Sequence, residues 1–382
     1  MTTNYNFSIW EKESFVHYHH AIIGGGIVGL HTAIALKNKF PTHSVILLEK
    51  GLLPTGASTK NAGFACMGSA TELLDDLSKS SPNEVLALFE MRRKGLADTR
   101  QLLGDDAIGY QANGSYELLN ENDVHAIGKI EALNTFLSPL IQENAFTINN
   151  TIIAQNKFDI NYFKTAIQNN LEGELHTGKL VKSLLHYAMH LGIEVRTGCN
   201  VSGIDEITNG VNIICNTSTE QAMVLRATTV CICTNAFTKQ LLPNIDLEPG
   251  RGQVLVTKPI GNLAFKGIYH LEQGYYYFRE INNRVLFGGG RNLDFDKEAT
   301  TSFAINEAII NDLQFKLANY ILPHTPHEID YTWTGIMAFG NNTKTPIIQK
   351  YSPHIYLAVR CGGMGVAFGS EMGRQVAELI NY

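Results

Sequence analysis

Three stretches predict an α/β protein. They are an apolar run, glycine turn and helix within residues 19–49, a helix-to-strand passage between 177 and 204, and a strand, glycine turn and helix at 354–380. Nucleotide-fold signals so far apart imply a discontinuous Rossmann-like domain interrupted by an α+β domain built on a mixed sheet. The length agrees: 382 residues is about 2.5 times the usual domain of roughly 150. Hydrophobic residues at 44% and charged ones at 17% exclude a disordered chain and a coiled coil. A net charge of -6 lacks the basic excess that a phosphate backbone demands, so no nucleic acid partner is expected. The first twenty residues lack a cationic start followed by an apolar core, and no apolar run approaches the roughly 18 residues of a spanning helix. A secreted or membrane-spanning protein is disfavoured. Cys66, Cys199, Cys215, Cys231, Cys233 and Cys361 show no metal-ligand spacing, and they read as reduced thiols of a cytoplasmic protein with no bound metal.

The elements follow in order. The aromatic stretch from Tyr5 to Tyr18 reads as an arm on the surface. HAIIGGGIVGLHTAIALKNKF then PTHSVILLEK switches from an apolar run to helical spacing (Ile27, Leu30, Ile34, Leu36) and back, which a βαβ unit fits. A helix over Ser81–Gly104 is announced by Ser81 as cap, Pro82 at its first position, Glu84 as the capping-box acid and Gly104 beyond its last turn. A second amphipathic stretch runs from about 121 to 140. After the passage at 177–204 come strand-rich segments, among them TTVCICTNA, where period-2 geometry puts Cys231 and Cys233 on one strand face. The hairpin YYYFREINNRVLFGGGR turns near Asn282-Asn283. Residues 1–80, 155–240 and 330–382 are expected to form the nucleotide domain, and 81–154 and 241–329 the substrate domain.

Gly24, Gly26 and Gly29 form GxGxxG directly after an apolar strand. In that motif the first glycine makes the tight turn, the second admits a pyrophosphate against the backbone, and the third lets helix and strand pack closely. Free N–H groups and the helix dipole then face the phosphate charge. Glu49, ending the second strand, suits ribose hydroxyls and argues against a 2'-phosphate. The small-residue loop GLLPTGASTKNAGFACMG follows at once, and Cys361-Gly362-Gly363-Met364-Gly365 supplies a second helix N-terminus. Both features favour a flavin, whose reduced ring carries charge that a helix N-terminus stabilises.

The chain resembles the D-amino acid oxidase superfamily of FAD enzymes, which includes glycine oxidase, sarcosine oxidase, D-amino acid dehydrogenase and γ-glutamylputrescine oxidoreductase. The matching pieces are GGGIVGL, Glu49, GASTKNAGF, GCNVSGI, VCICTNAF, PGRGQ, the YYYF hairpin, WTGIM and GGMGVA, in the family's order and across nearly the whole chain. By this resemblance Gly24, Gly26 and Gly29 cradle the FAD pyrophosphate, and Glu49 with Lys50 holds the adenosine ribose. Ser58, Thr59, Lys60, Asn61, Ala62 and Gly63 match the loop that lies along the diphosphate and reaches the flavin. Val201 matches the adenine contact, and Thr234, Asn235 and Ala236 the crossover beneath the cofactor. Gly335 and Ile336, with Gly363, Met364 and Gly365, match residues lining the isoalloxazine ring. FAD is expected to be noncovalent, because no cysteine lies between WTGIM and Pro346.

On the substrate side the resemblance breaks. Met337 and Gly363 stand where relatives carry carboxylate-binding arginines, Ala367 matches sarcosine oxidase's carboxylate lysine, and the strand RVLFGGG lacks the oxygen-activating lysine. The catalytic candidates are Tyr276, favoured over its neighbours as the aromatic facing the flavin, and Arg251, Arg360 and Arg279 as anion clamps. An ordinary packed sheet face is the alternative for the tyrosines. The resemblance implies oxidation of a C–N bond of a small amine or amino acid by hydride transfer to flavin N5, the imine then hydrolysing, with oxygen or a quinone as electron acceptor. Dehydrogenation of a hydroxy acid or polyol is the alternative, and a flavoprotein acting on a macromolecule such as tRNA a more distant one.

Overall fold

The computed structural model describes residues 5–216, 222–341 and 343–381, and two large sheets organise them. The first runs in the order Ile347–Lys350, Ile355–Val359, Ala222–Ile232, His17–Ile23, Val45–Leu48, Glu194–Arg196, with Asn200–Ile207 and Gly210–Asn216 as an antiparallel annex. Pairings around the first strand are parallel. Such strands are covered on both faces, so they read as continuous apolar runs rather than alternating ones. Ile22, Leu47, Cys231 and Cys233 meet the helices Ile27–Lys39, Thr177–His190 and Gly365–Glu378 on one side. Ala21, Ile23, Ile46 and Ile232 meet the annex on the other. The Tyr5–Tyr18 arm begins alongside the annex, Tyr5 donating its N–H to the Ala222 carbonyl, then forms the short helix Ile9–Ser14 and leads into the first strand.

The second sheet is mixed, as expected. Its order is Ile329–Phe339, Glu248–Thr257, Arg284–Gly289, Tyr276–Ile281, Ile268–Leu271, Ser115–Leu119, Thr165–Asn169, Thr147–Ile148, and only the Ile268–Leu271 and Ser115–Leu119 pair is parallel. The hairpin turns at Asn282 and Asn283, both at positive φ (52° and 58°), the conformation a two-residue turn between right-twisted strands requires. Tyr269, Tyr276, Phe278 and Phe287 fill the back of this sheet under the helix Glu307–Lys316. Its front carries glycines where bulk is expected.

The helix Pro82–Leu103 has both halves of its capping box, with Ser81 and Glu84 bonding each other's backbone N–H. The stretch at 121–140 divides at Lys129 into a 3-10 turn, Val124–Lys129, and the helix Ile130–Leu137, while Ala126, Ile130, Leu133 and Leu137 keep the buried stripe. Sheet membership departs from the expected segment boundaries in three places. Thr165–Asn169 and Ile329–Phe339 lie in the second sheet, and Pro82–Leu103 packs on Gly365–Glu378 beside the first. Local pattern cannot reveal this, because a strand's sheet is chosen by partners distant in sequence. Among the described residues no helix is long and apolar enough to cross a membrane.

Pro82–Leu103 and Gly365–Glu378 touch backbone to backbone: a Cβ on Gly95 would lie 2.0 Å from the Ala367 carbonyl oxygen, and Ser370 donates its hydroxyl to the Gly95 carbonyl. Overpacking a close-packed contact costs about 1–3 kcal/mol. Gly95→Val is therefore expected to lower the urea midpoint by that equivalent, with Ser370→Ala a milder change at the same place.

Candidate active site

The turn after the first strand is built for close approach. A Cβ on Gly29 would lie 1.9 Å from the Gly24 oxygen, and one on Gly24, at φ 108°, 2.8 Å from the Cys233 oxygen. Gly26 begins the helix Ile27–Lys39 without capping it, so the first-turn amides other than that of Ile27 are left for an anion. Ser58 stands opposite, its Oγ accepting from the Ile27 N–H at 2.9 Å. The Glu49 carboxylate accepts from Gly25 N–H (2.8 Å) and Gly51 N–H (2.9 Å), which fixes it at the end of the second strand. Lys50 beside it is exposed. The Glu49 carbonyl accepts from Cys199 N–H, so Val201, second residue of the annex strand Asn200–Ile207, stands next to this end.

The loop carrying Ser58 to Gly63 is tied to itself and to both sheets. Thr59 donates to the Pro54 carbonyl, and the Asn61 amide donates to the Ala57 and Ser58 carbonyls while its oxygen accepts from Gly63 N–H and the Thr177 hydroxyl. The Lys60 carbonyl accepts from the Trp333 indole at 3.0 Å. Gly335 lies under it, a Cβ there standing 3.3 Å from Lys60 Cβ. At the far side, Asn235 Oδ1 accepts from Arg360 N–H (3.1 Å) and Cys361 N–H (3.3 Å), with Thr234 bonded to Thr238 and Ala236 buried. Asn235 (φ 45°) and Arg360 (φ 68°) hold the left-handed conformation, strain that these paired bonds sustain at the bend before Gly362 and Gly363. Met364 and Gly365 then open the helix Gly365–Glu378, also without a side-chain cap.

Between these walls lies the front of the second sheet. Gly250 pairs with Met337 and Gly252 with Gly335, and Tyr277 pairs with Gly288 on the same face. A Cβ on Gly252 would touch Met337 and come within 3.8 Å of the Tyr277 hydroxyl, and one on Gly363 would lie 3.5 Å from the Met337 sulfur. Glycines thus floor a trough over which neighbouring side chains lean, Phe339 and Arg291 above Gly250 and the Tyr277 ring above Gly288. Phe64 edges both Tyr277 and His270 (5.7 and 5.2 Å between centroids). Burial pushes the Tyr277 hydroxyl up to about 12 and the His270 imidazole down from its ordinary value, with Glu72 opposing the latter shift. His270 is 5% exposed, and its Nε2 has no hydrogen-bond partner among the described residues.

The predicted substrate residues fare differently. Tyr276 is turned to the back of the sheet, where its hydroxyl donates to Asp312 at 2.7 Å and Lys316 covers its ring; the facing aromatic is Tyr277. Alternation separates the two, and only strand register decides which side meets the trough. Arg251 also faces backwards, in a bidentate pair with buried Glu298 (2.7 Å twice). Arg360 commits its guanidinium to Asp246 and the Thr345 carbonyl. Neither presents a free fork to a substrate. Arg279 faces forward but donates to the carbonyls of Leu175 (2.8 Å), Gly63 (3.2 Å) and Ala62 (3.4 Å), with Glu174 at 3.7 Å. Burial lowers its pKa, and its work is to position the loop. Ile336 alternates away from Gly335 into the core of the first sheet. Sequence reasoning did not single out Tyr277 or His270. The hairpin's period-2 alternation carried the signal for the first, placing Tyr277 and Arg279 on one face.

Beneath the loop sits a buried polar cluster. Glu117 accepts from the Ser69 hydroxyl and from both the N–H and hydroxyl of Thr71, and Glu172 from Met67 N–H, whose carbonyl takes Arg92. Burial raises both acids to about 7. Burial also raises Glu72, but His270, Lys344 and the Ser69 N–H outweigh it and hold that carboxyl below its ordinary value.

Uncapped helix starts, an acid at the second strand's end and a glycine-floored trough fit FAD and define a dinucleotide-dependent oxidoreductase. The chain belongs to the family of FAD dependent oxidoreductases, which it matches over residues 19–379. It is 23% identical to the probable oxidoreductase OrdL of Haemophilus influenzae, over 99% of this chain and 86% of that one. Glycine oxidase from Bacillus cereus shares the fold with a TM-score of 0.76 at 19% identity, covering 95% of this chain and 96% of that one. L-proline dehydrogenase from P. horikoshii does so with 0.75 at 18% identity, covering 95% and 93%.

Two outcomes follow from this geometry. Arg279→Met should leave the enzyme folded but lower the FAD retained after gel filtration, because two loop carbonyls and that of Leu175 lose their donor. Glu117 and Glu172 bind protons more tightly folded than unfolded, so their contribution is full below 4.5 and declines as pH rises through about 7. Glu117→Gln should flatten that decline in urea unfolding measured from pH 4.5 to 8.

Proposed function

We propose that this FAD-dependent oxidoreductase oxidises the C–N bond of a small amine or amino acid, giving an imine that hydrolyses to a carbonyl compound and the released amine. The observation that carries the reading is His270, a buried imidazole paired with Tyr277 on the front of the second sheet, whose Nε2 has no partner among the described residues. An amine arrives as an ammonium and must lose a proton before its C–H bond can give up a hydride. A neutral imidazole accepts that proton at physiological pH. When bound, FAD supplies the two-electron acceptor for the hydride. Phe64, Tyr277 and Met337 keep water from the path, and the ring face of Tyr277 accommodates the cation before it is deprotonated. Named relatives support the substrate class: the folds matched include L-proline dehydrogenase, glycine oxidase and an L-amino acid deaminase from Proteus vulgaris. The electron acceptor is oxygen or a quinone, the flavin is held without a covalent bond, and the enzyme works in the cytoplasm.

Anaerobic titration of the yellow holoenzyme with D- and L-amino acids, N-methyl amino acids and polyamines tests the proposal. Bleaching by a member of this panel is expected; bleaching only by 2-hydroxy acids would transfer the reading to a C–O bond. His270→Gln should slow flavin reduction by the best amine at least about tenfold. In the wild type the acid limb due to His270 should fall below 6.5, because burial lowers its pKa.

A further inference from the structure

Among the described residues at the front of the second sheet, two cations make no side-chain hydrogen bond or ion pair, Lys60 and Arg291, and of these only Arg291 stands against the glycine floor at Gly250. Arg279 and Arg360 are tied to carbonyls and carboxylates, Arg251 lies on the back, and Lys60 directs its ammonium onto the Phe303 ring (5.5 Å). Arg291, just past the strand Arg284–Gly289, makes no side-chain hydrogen bond or ion pair among the described residues. Its half-buried guanidinium lies between the rings of Phe339 (4.0 Å) and Phe295 (4.9 Å). Burial lowers its pKa, with Tyr275 and the already paired Glu298 acting against that shift. Its Nη1 would be 2.8 Å from a Cβ on Gly250, the trough-floor residue that pairs with Met337. Two rings and an absent side chain therefore hold a planar donor fork open at the end of the trough. A partly desolvated guanidinium kept flat in this way, with Glu298 acting on it only at a distance and no carboxylate bonded to it among the described residues, suits bidentate capture of a carboxylate.

We propose that Arg291 receives the carboxylate of the substrate, and that this carboxylate lies at the Phe339 row, two strand residues or about 7 Å beyond Met337. The preferred substrate is then an anionic amine with an apolar spacer between its carboxylate and the carbon that is oxidised. The aromatic surfaces of Phe295, Phe339 and Tyr275 flank the spacer. This rests on the C–N reading of the same site, so the test separates the two.

Binding of straight-chain carboxylates from acetate to hexanoate, and of the matching neutral amides, is measured by perturbation of the flavin spectrum in the holoenzyme. None of these probes is oxidised at a C–N bond, so the readout is independent of turnover. Carboxylate affinity is expected to rise with chain length. Arg291→Gln should weaken the longer carboxylates at least about tenfold while leaving amides unchanged, and Arg291→Lys should restore part of the loss. Equal losses for amides and carboxylates, or no carboxylate perturbation in the wild type, would overturn the assignment. An unchanged flavin spectrum in Arg291→Gln verifies the fold. Arg291-dependent carboxylate binding without bleaching by any amine would uphold the clamp and remove the C–N reading, whereas amine bleaching with Arg291-independent binding would do the reverse.

Discussion

The contact between Gly29 and the Gly24 carbonyl sets the geometry of the nucleotide side. With 1.9 Å between a would-be Cβ and that oxygen, the helix can approach the strand only if this position carries no side chain. The approach aims the uncapped helix start at the space facing Ser58. It also seats Gly24 on Cys233, so that the strand Ala222–Ile232 and the crossover at Thr234–Ala236 are placed by the same turn. Glu49 joins the arrangement by accepting from Gly25 N–H. One close approach therefore fixes the helix start, Glu49 and the crossover together.

The flavin end depends on a different device. Arg279 reaches from the second sheet to the carbonyls of residues 62, 63 and 175, which join the loop and the segment leading into the helix Thr177–His190. Burying a guanidinium is costly unless its donors are satisfied, and here carbonyl oxygens do most of that with Glu174 nearby. The strained bend at Arg360 is held in the same spirit: its N–H meets Asn235 and its side chain meets Asp246. Two arginines that sequence assigns to the substrate thus serve the walls of the site.

The difference in legibility between the two halves has a physical basis. The GxGxxG turn, the capping box at Ser81 and the Asn-Asn turn are local, and each is dictated by backbone conformation within a few residues. They were readable because neighbours in sequence are the neighbours that matter. Tyr276 and Tyr277 differ by which side of a pleat they occupy, and that is decided by the pairing of Tyr277 with Gly288 and His270, residues on other strands. Arg251 looks like a clamp in PGRGQ until Glu298, 47 residues on, closes over it. Arg291 carries no motif at all; only the rings on both sides of it, Phe295 and Phe339, distinguish it from any surface arginine. Sheet membership fails in sequence for the same reason as side-chain facing: both are settled by long-range register.

The parallel pairing of His20 with Thr229 closes a loop of 209 residues, and the Lys39 ammonium holds the carbonyl of Ile380, 341 residues away. High contact order of this kind makes assembly late and cooperative, since loop entropy must be lost before the distant strands reward it. A cofactor held between segments so far apart in sequence would bind only the assembled chain, so its occupancy and folding would be thermodynamically linked. Starvation for the vitamin precursor of the flavin would then be felt first as a loss of enzyme to proteolysis and aggregation, before it registered as a pool of intact but idle molecules.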